Sequence, residues 1–453
     1  MEEKRSTKFE KTQEAVVNRL HGDRVIWIIY FLLCLISIAL IYSASSSLAY
    51  MKGSTNFGIL MKQLRFVIIG FVALYVCYKV PPKWYRRLSF LIYLVSVVLL
   101  LITLVAGSSM NDAQRWLSIG GIQFQPAEIA KIAIVLYLAR ALEVMQIDTY
   151  KQFLIKIIAP IGLVCVLVLV GSVSAAMYMA LICFVVLLIS GVNYSYIFKT
   201  AGLAAAGVII LILLHLAFHI FPRMDTAVER FSRFFQSEQT VNTSTLSKAE
   251  QQRLADETLQ ADMAQIAVKE GKLLGKGPGK STQCYVLPHP YSDYIYSIII
   301  EEYGIIGGVF VLFLYIWLFY RCVSIVRGCR TTFSAITVGG LGGVIVIQAM
   351  LHILVNVGIF PVTGHTLPLV SLGGTSFVII SGAFGIILSV SRKREEAESI
   401  IQEKEQQEKE EKRAAREEKK AAQKEAEQQE GPTDEEARNM LENLNNISGE
   451  VQE

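Results

Sequence analysis

The residues best suited to chemistry gather where a polar loop, Leu287-Pro-His-Pro-Tyr-Ser-Asp293, runs into an apolar block. Asp293 stands at the mouth of that block, with Ser297 and Glu301 behind it at helical intervals, so the three form a polar stripe on one side of a helix. A carboxylate partly withdrawn from water holds its proton more tightly, which suits a general base for a hydroxyl. The plainer reading is a helix-start residue, because the helix dipole favours an aspartate in a first turn. Glu301 and Glu302 are neighbours and point about 100° apart on a helix. A charge at bilayer depth costs roughly 2.5 kcal/mol or more. Both therefore cannot face lipid, and at least one is expected to meet a polar cavity or a basic partner.

Three further constellations carry polar groups. Asn111-Asp-Ala-Gln-Arg115-Trp116 precedes Gln125-Pro-Ala-Glu128-Ile-Ala-Lys131. Pro126 suits a first helical position, and Glu128 lies one turn before Lys131, so the two could pair inside a membrane. Arg115 and Lys131 could hold a diphosphate while Trp116 anchors at the interface; alternatively the cations only neutralise Glu128 and hold a broken helix. In Pro222 to Phe235, Arg230 and Arg233 stand one turn apart among aromatics, as in an interfacial amphipathic segment that binds lipid headgroups or a substrate phosphate. Asn356-Val-Gly and Gly364 to Ser376, with Thr366 and Ser371, form an irregular stretch rich in small polar groups, of the kind tolerated at membrane depth where it is buried or lines a cavity. His365 could titrate there, or serve only as a hydrogen-bonding residue.

These groups need a frame, and the composition says what kind. A 53% hydrophobic fraction and a mean hydropathy of +0.44 are too apolar for a soluble domain of this length. The apolar sequence falls into ten blocks near the span length of a bilayer: 25–47, 60–80, 86–106, 126–143, 152–170, 174–191, 197–221, 294–320, 333–358 and 374–391. The fourth is short and carries Glu128 and Lys131. The predicted fold class is an all-α polytopic membrane protein of about ten spans, in three parts: a leader (1–24), a membrane domain (25–391) and a charged tail (392–453). Lys79, Lys83, Arg86, Arg87, Arg140, Lys151, Lys199, Arg321, Arg327, Arg330 and Arg392–Arg394 lie in alternate connections, whereas 359–373 holds only His365. By the positive-inside rule both termini are cytoplasmic and the long loop 222–293 between spans seven and eight faces outward, with Lys52 the exception on that side.

Within the long loop, Ser247-Lys-Ala-Glu250 has capping-box spacing and apolar residues recur near helical period up to Gly271, which would end a helix. Gly275-Lys276-Gly-Pro-Gly-Lys280-Ser281 follows, a cationic turn whose amides and lysines could face a phosphate, though without the ending of a P-loop. Of seven cysteines only Cys284 is predicted to face outward, so packing is the simpler role for all of them. The tail holds 12 Lys/Arg and 19 Asp/Glu and is expected to be disordered or transiently helical; Met440, Leu441, Leu444 and Ile447 could anchor a cytoplasmic partner.

Taken in order, Asn111–Trp116, Gln125–Lys131, Gly275–Ser281, Leu287-Pro288 with Asp293, Asn356–Gly358 and Gly364–Ser376 resemble the motifs of the SEDS family of peptidoglycan polymerases, FtsW and RodA, over most of 24–391. The leader, the tail and Gly22–Trp27 are more similar to the division branch. The resemblance implies inverting glycosyl transfer with lipid II, Asp293 taking the proton of the acceptor sugar's 4-hydroxyl, and Arg115, Lys131, Arg230, Lys276 and Lys280 as candidates to meet the diphosphate. It also implies a possible divalent cation (Mg or Mn) and a single-span class B penicillin-binding transpeptidase as partner, beside other division proteins and membrane lipids; no nucleic acid is expected. The chain departs from the family pattern at Gly171–Ala176, at His289 and Tyr291, and at Thr363. A lipid II flippase, or an inactive division scaffold, are the rival readings. A flippase predicts a polar path across the whole bilayer, whereas Asp293, Glu301 and the cationic candidates gather mostly toward the outer side.

Overall fold

In hydrocarbon every backbone polar group must be satisfied within its own segment, so apolar blocks of span length fold as helices. The structure, a computed structural model, describes residues 21–52, 56–110, 113–119, 122–218, 248–285, 291–429 and 434–449. In chain order the helices are α1 (Arg24–Lys52), α2 (Asn56–Lys79), α3 (Pro82–Ala106), α4 (Pro126–Val144), α5 (Tyr150–Gly171, with a π turn at Leu154–Ile158), α6 (Val173–Ile189), α7 (Tyr194–Phe218), α8 (Lys248–Gly271), α9 (Ile295–Arg327), α10 (Thr332–Asn356), α11 (Thr375–Gln429) and α12 (Asp434–Gly449). Each of the ten apolar blocks falls on a helix, and α8 is the helix expected in the outer loop. Seven helices among the described residues (α1, α2, α3, α5, α9, α10 and the span in α11) are long and apolar enough to cross a membrane, and α6 and the start of α7 are shorter apolar helices. The chain is a multi-pass membrane protein. Pro82 and Pro126 open α3 and α4, where a missing N–H and a preset φ cost nothing.

The block that looked least secure, α4, is enclosed by other helices. Ala133 to Ala139 are buried without a break, and the helix packs against α3, α6 and α10. Its charges fail as a lipid-facing surface but not as a protein-facing one. Outer helices show the reverse pattern: Ile68, Val72 and Val76 on α2, and Phe90, Leu94 and Leu101 on α3, are exposed, as a lipid-contacting face requires. Close packing uses small residues, since a Cβ on Gly385 of α11 would sit 2.3 Å from the Leu74 carbonyl of α2.

One element was not anticipated. Between α3 and α4 the chain forms a three-stranded antiparallel sheet, β1 (Ser108–Met110), β2 (Ala113–Ile119) and β3 (Ile122–Phe124), with Ser108 opposite Trp116 and Leu117 opposite Phe124. Strands of three residues are too short to show a two-residue period, and only the Gly120-Gly121 pair hinted at a hairpin. The chain divides into two compact units, 1–394 and 395–453. In the second, the tail is helical through Gln429 and again in α12, with Met440, Leu441 and Leu444 exposed.

Candidate active site

Asp293 closes a short turn, Tyr291–Asp293, immediately before α9. The cap residue of that helix is Tyr294, whose side chain makes no capping bond. What defines the turn is its main chain. The amide of Leu372 donates to the Tyr291 carbonyl at 2.9 Å, the Ser371 hydroxyl to the Ser292 carbonyl at 2.8 Å, and the Asn356 side-chain amide to the Asp293 carbonyl at 3.1 Å. The Ser292 hydroxyl donates to an Asp293 carboxylate oxygen at 3.0 Å. One turn into α9, Ser297 reaches the other end of the same Asn356, its amide and hydroxyl donating to Oδ1 at 3.1 and 3.0 Å. The irregular stretch at 361–374 is thus a scaffold around the turn. Leu369 adopts φ 60, a left-handed conformation that costs a leucine about 1–3 kcal/mol and persists only where surroundings impose it.

The phenol of Tyr291 lies beside the carboxylate. Burial raises its pKa, and the negative charge of Asp293 raises it further.

Nine residues further along, α9 breaks. Gly304 adopts φ 72, ψ −175, and the turn segment 271–277 lies against the gap. Lys276 and Gly277 amides donate to the Glu301 and Glu302 carbonyls, both at 2.9 Å, and the Ile305 amide donates to the Lys272 carbonyl at 2.9 Å. The approach leaves no room for side chains: a Cβ on Gly304 would be 2.1 Å from the Leu273 carbonyl, and one on Gly275 2.2 Å from the Glu302 carbonyl. Gly271 ends α8 as expected but for another reason. The left-handed residue is Lys272 (φ 46), and Gly271 is needed because a Cβ there would strike the Ile300 carbonyl at 2.1 Å.

Glu301 is fully buried at this junction, and its expected basic partner is Lys276, at 2.7 Å. The same carboxylate accepts from the Thr282 amide and hydroxyl, both 2.9 Å, and from the Ser281 hydroxyl at 2.5 Å. Glu302 accepts from the Ser43 hydroxyl at 2.5 Å and the Gly279 amide at 3.1 Å. Lys276 is further paired with Glu270. Partial burial pulls its ammonium pKa down, but the hydrogen bonds and charges of Glu270 and Glu301 outweigh that and hold it above the usual lysine value. Within the cationic turn Lys280 is the exposed lysine.

The third constellation sits deeper. Lys131, 4% exposed, donates to Glu128 at 2.8 Å and to the Gln348 side chain at 2.9 Å, and lies 5.0 Å from the Tyr178 ring centre. Ser376 donates to the other Glu128 oxygen at 3.2 Å, and Gln348 donates to the Thr366 carbonyl at 2.9 Å. The structure therefore joins Glu128, Lys131, Thr366 and Ser376 in one network, in which Gln348, a residue that nothing in the spacing singled out, bridges Lys131 to Thr366. Trp116 lies on β2, half-buried, and Arg115 precedes it on the same strand. Arg230 and Arg233 lie outside the described residues. Two departures from the family pattern meet in space: the Ser174 hydroxyl, within Gly171–Ala176, donates to the Thr363 carbonyl at 3.1 Å. Among the described residues no three His, Cys, Asp or Glu side chains gather as metal ligands, so these residues do not fit a protein-built metal site, and no step below runs through one.

A bundle of this kind, built of long apolar helices, defines a polytopic membrane protein. The profile of a family described as a cell cycle protein, FtsW/RodA/SpoVE, matches residues 23–396. The chain is 30% identical over 382 residues to a probable peptidoglycan glycosyltransferase FtsW of Hydrogenovibrio crunogenus, covering 82% of this chain and 92% of that one. It is 29% identical over 388 residues to the peptidoglycan glycosyltransferase MrdB of Escherichia coli, covering 83% and 95%. Among solved structures, Thermus thermophilus RodA aligns with a TM-score of 0.59 at 22% identity, covering 83% of this chain and 99% of that one. A chain from a peptidoglycan synthase complex that coordinates polymerisation and crosslinking aligns with a TM-score of 0.63 at 21% identity, covering 82% and 98%. The chain belongs to the FtsW/RodA/SpoVE family.

Proposed function

We propose that the protein is a peptidoglycan glycosyltransferase that polymerises lipid II on the outer face of the cytoplasmic membrane, with Asp293 as general base. The relatives named peptidoglycan glycosyltransferase support the reaction class. The observation that carries the assignment within the chain is the braced turn, which places Asp293 where α9 meets the outer loop. The carboxylate accepts the proton of an acceptor sugar hydroxyl as that oxygen bonds to the anomeric carbon of the growing chain. The bond from that carbon to the lipid diphosphate breaks, the configuration inverts, and the diphosphate leaves with the bonding pair. A positioned base of this kind supplies about 10²–10⁴-fold.

Lys280, exposed on the glycine-rich turn, is the described lysine best placed to meet the leaving diphosphate, while Lys276 and Lys131 are engaged by carboxylates. Both termini are assigned to the cytoplasm from the cation distribution, and the septum is the assigned site of action. A class B penicillin-binding transpeptidase is the assigned partner, supported by the likeness to a synthase complex that couples polymerisation to crosslinking.

Purified protein in lipid vesicles given labelled lipid II tests the reading. Glycan strands are expected from the wild type and none from Asp293→Asn at equal expression and melting temperature. Lipid movement without polymer would make the protein a flippase, and neither activity would make it a scaffold. Septal rather than side-wall fluorescence of a tagged copy checks the place of action.

A further inference from the structure

We infer that Asn356 and Ser371 are positioning residues for Asp293, acting through the main chain of its turn rather than touching substrate. This rests on the reading of Asp293 as the general base.

A side-chain amide has two N–H donors and one oxygen with two lone pairs. In Asn356 all are used by the protein: Nδ2 donates to the Asp293 carbonyl at 3.1 Å and the His352 carbonyl at 2.9 Å, while Oδ1 accepts from the Ser297 amide and hydroxyl. The residue is fully buried, so nothing is left to offer a ligand. Ser371 is 2% exposed; its hydroxyl donates to the Ser292 carbonyl at 2.8 Å and accepts from the Leu367 amide at 2.8 Å. With the Leu372 amide on the Tyr291 carbonyl, three consecutive peptide planes are tied, by donors from the end of α10 and from the loop before α11. The loop that supplies two of these donors is itself fixed, the Val370 and Ser371 amides both donating to the Leu367 carbonyl across the left-handed Leu369.

The chemistry gives this bracing a purpose. A base must meet its hydroxyl within hydrogen-bond reach while the anomeric carbon is in line, and a displacement of about 1 Å costs about 100-fold in rate. Asp293 stands at the junction of a loop and a helix, where a turn held only by its own residues would wander. Tying the carbonyls fixes the origin of the side chain that carries the carboxylate.

The test is steady-state polymerisation by full-length protein in vesicles, with lipid II as the varied substrate. Ser371→Ala removes one donor and is expected to lower kcat about 10-fold with KM for lipid II unchanged, the pattern of an interaction felt in the transition state only. Ser371→Thr keeps the hydroxyl and is expected to recover most of the rate. Asn356→Ala loses the bridge to Asp293 and Ser297 together and is expected to lower kcat about 100-fold. If that variant does not fold, Ser371→Ala decides alone. A raised KM at constant kcat would make these residues substrate contacts, and an unchanged kcat would remove them from the mechanism; either overturns the inference. Failure of the underlying reading is separately visible, because Asp293→Asn would then polymerise at the wild-type rate whatever the other variants do.

Discussion

Two aspartates stand at helix starts at opposite ends of the bundle, and they are held in opposite ways. Asp23, before α1, is held by its side chain: its carboxylate accepts from the Val25 and Ile26 amides at 3.0 and 3.2 Å, and Arg321 of α9 grips it through Nε and Nη2, at 3.0 and 2.5 Å. Asp293, before α9, is held by its backbone carbonyl through Asn356. The first arrangement spends the charge on structure, capping a helix and tying α1 to α9. The second fixes the main chain beneath the charge, while the Ser292 hydroxyl bonds the carboxylate itself. Residue type and distance from a helix start cannot tell these apart; the arginine on Asp23 and the main-chain bond from Asn356 on Asp293 can.

Replacing each by asparagine breaks the comparison most directly. For Asp293→Asn, polymerisation is expected to fall about 10³-fold, within the range of a lost general base, with melting temperature in detergent unchanged. A variant that polymerised normally would place Asp293 with Asp23 among structural caps.

The next effect concerns the bracing of α9 below Asp293. Gly304→Ala puts a Cβ 2.1 Å from the Leu273 carbonyl in a conformation alanine avoids, so the break and the 271–277 segment must part. Strain of this kind is about 1–3 kcal/mol before the overlap is counted, so a lower melting temperature and faster amide exchange in 272–282 are expected. Asp23→Asn should cost about 2 kcal/mol, less than the 3–5 typical of a broken buried pair because Arg321 is 30% exposed, with turnover per folded molecule retained. Loss of turnover at full stability would show that the Asp23 end of the bundle is coupled to the Asp293 end.

Much of this was legible in the sequence. The ten apolar blocks each fall on a helix, and Asp293 stands where polar sequence meets apolar. Glu301 was recognisable as a charge in need of a partner, but not Lys276 as that partner, because the pairing depends on a helix break at Gly304 that an apolar run hides. The bracing of Asp293 was wholly invisible. It runs through carbonyls, which every residue has, to donors 63 and 79 positions away. The fourth block was hard to place for a related reason: composition shows that Glu128 and Lys131 are charged, not that Gln348 and Ser376 bond them. Asn356 and Ser371 stood out by type, small and polar in irregular backbone, but type alone left open whether they line a cavity or are buried in the protein.

The smallest effect reads the charge of Asp293 without asking for catalysis. Burial raises the Tyr291 phenol, and the neighbouring Asp293 carboxylate raises it further, because a phenolate beside a negative charge is disfavoured. Asp293→Asn removes that charge and leaves the burial, so the phenol should ionise at a lower pH than in the wild type while staying above the ordinary tyrosine value. Asp23→Asn, at the other end of the bundle, should leave it where it is. Carbon-13 NMR of tyrosine labelled at Cζ follows the titration, with Tyr291→Phe assigning the signal. A phenol that does not move on Asp293→Asn would mean that the Asp293 carboxylate stands too far from Tyr291 to act on it, and the turn would not have the geometry described above.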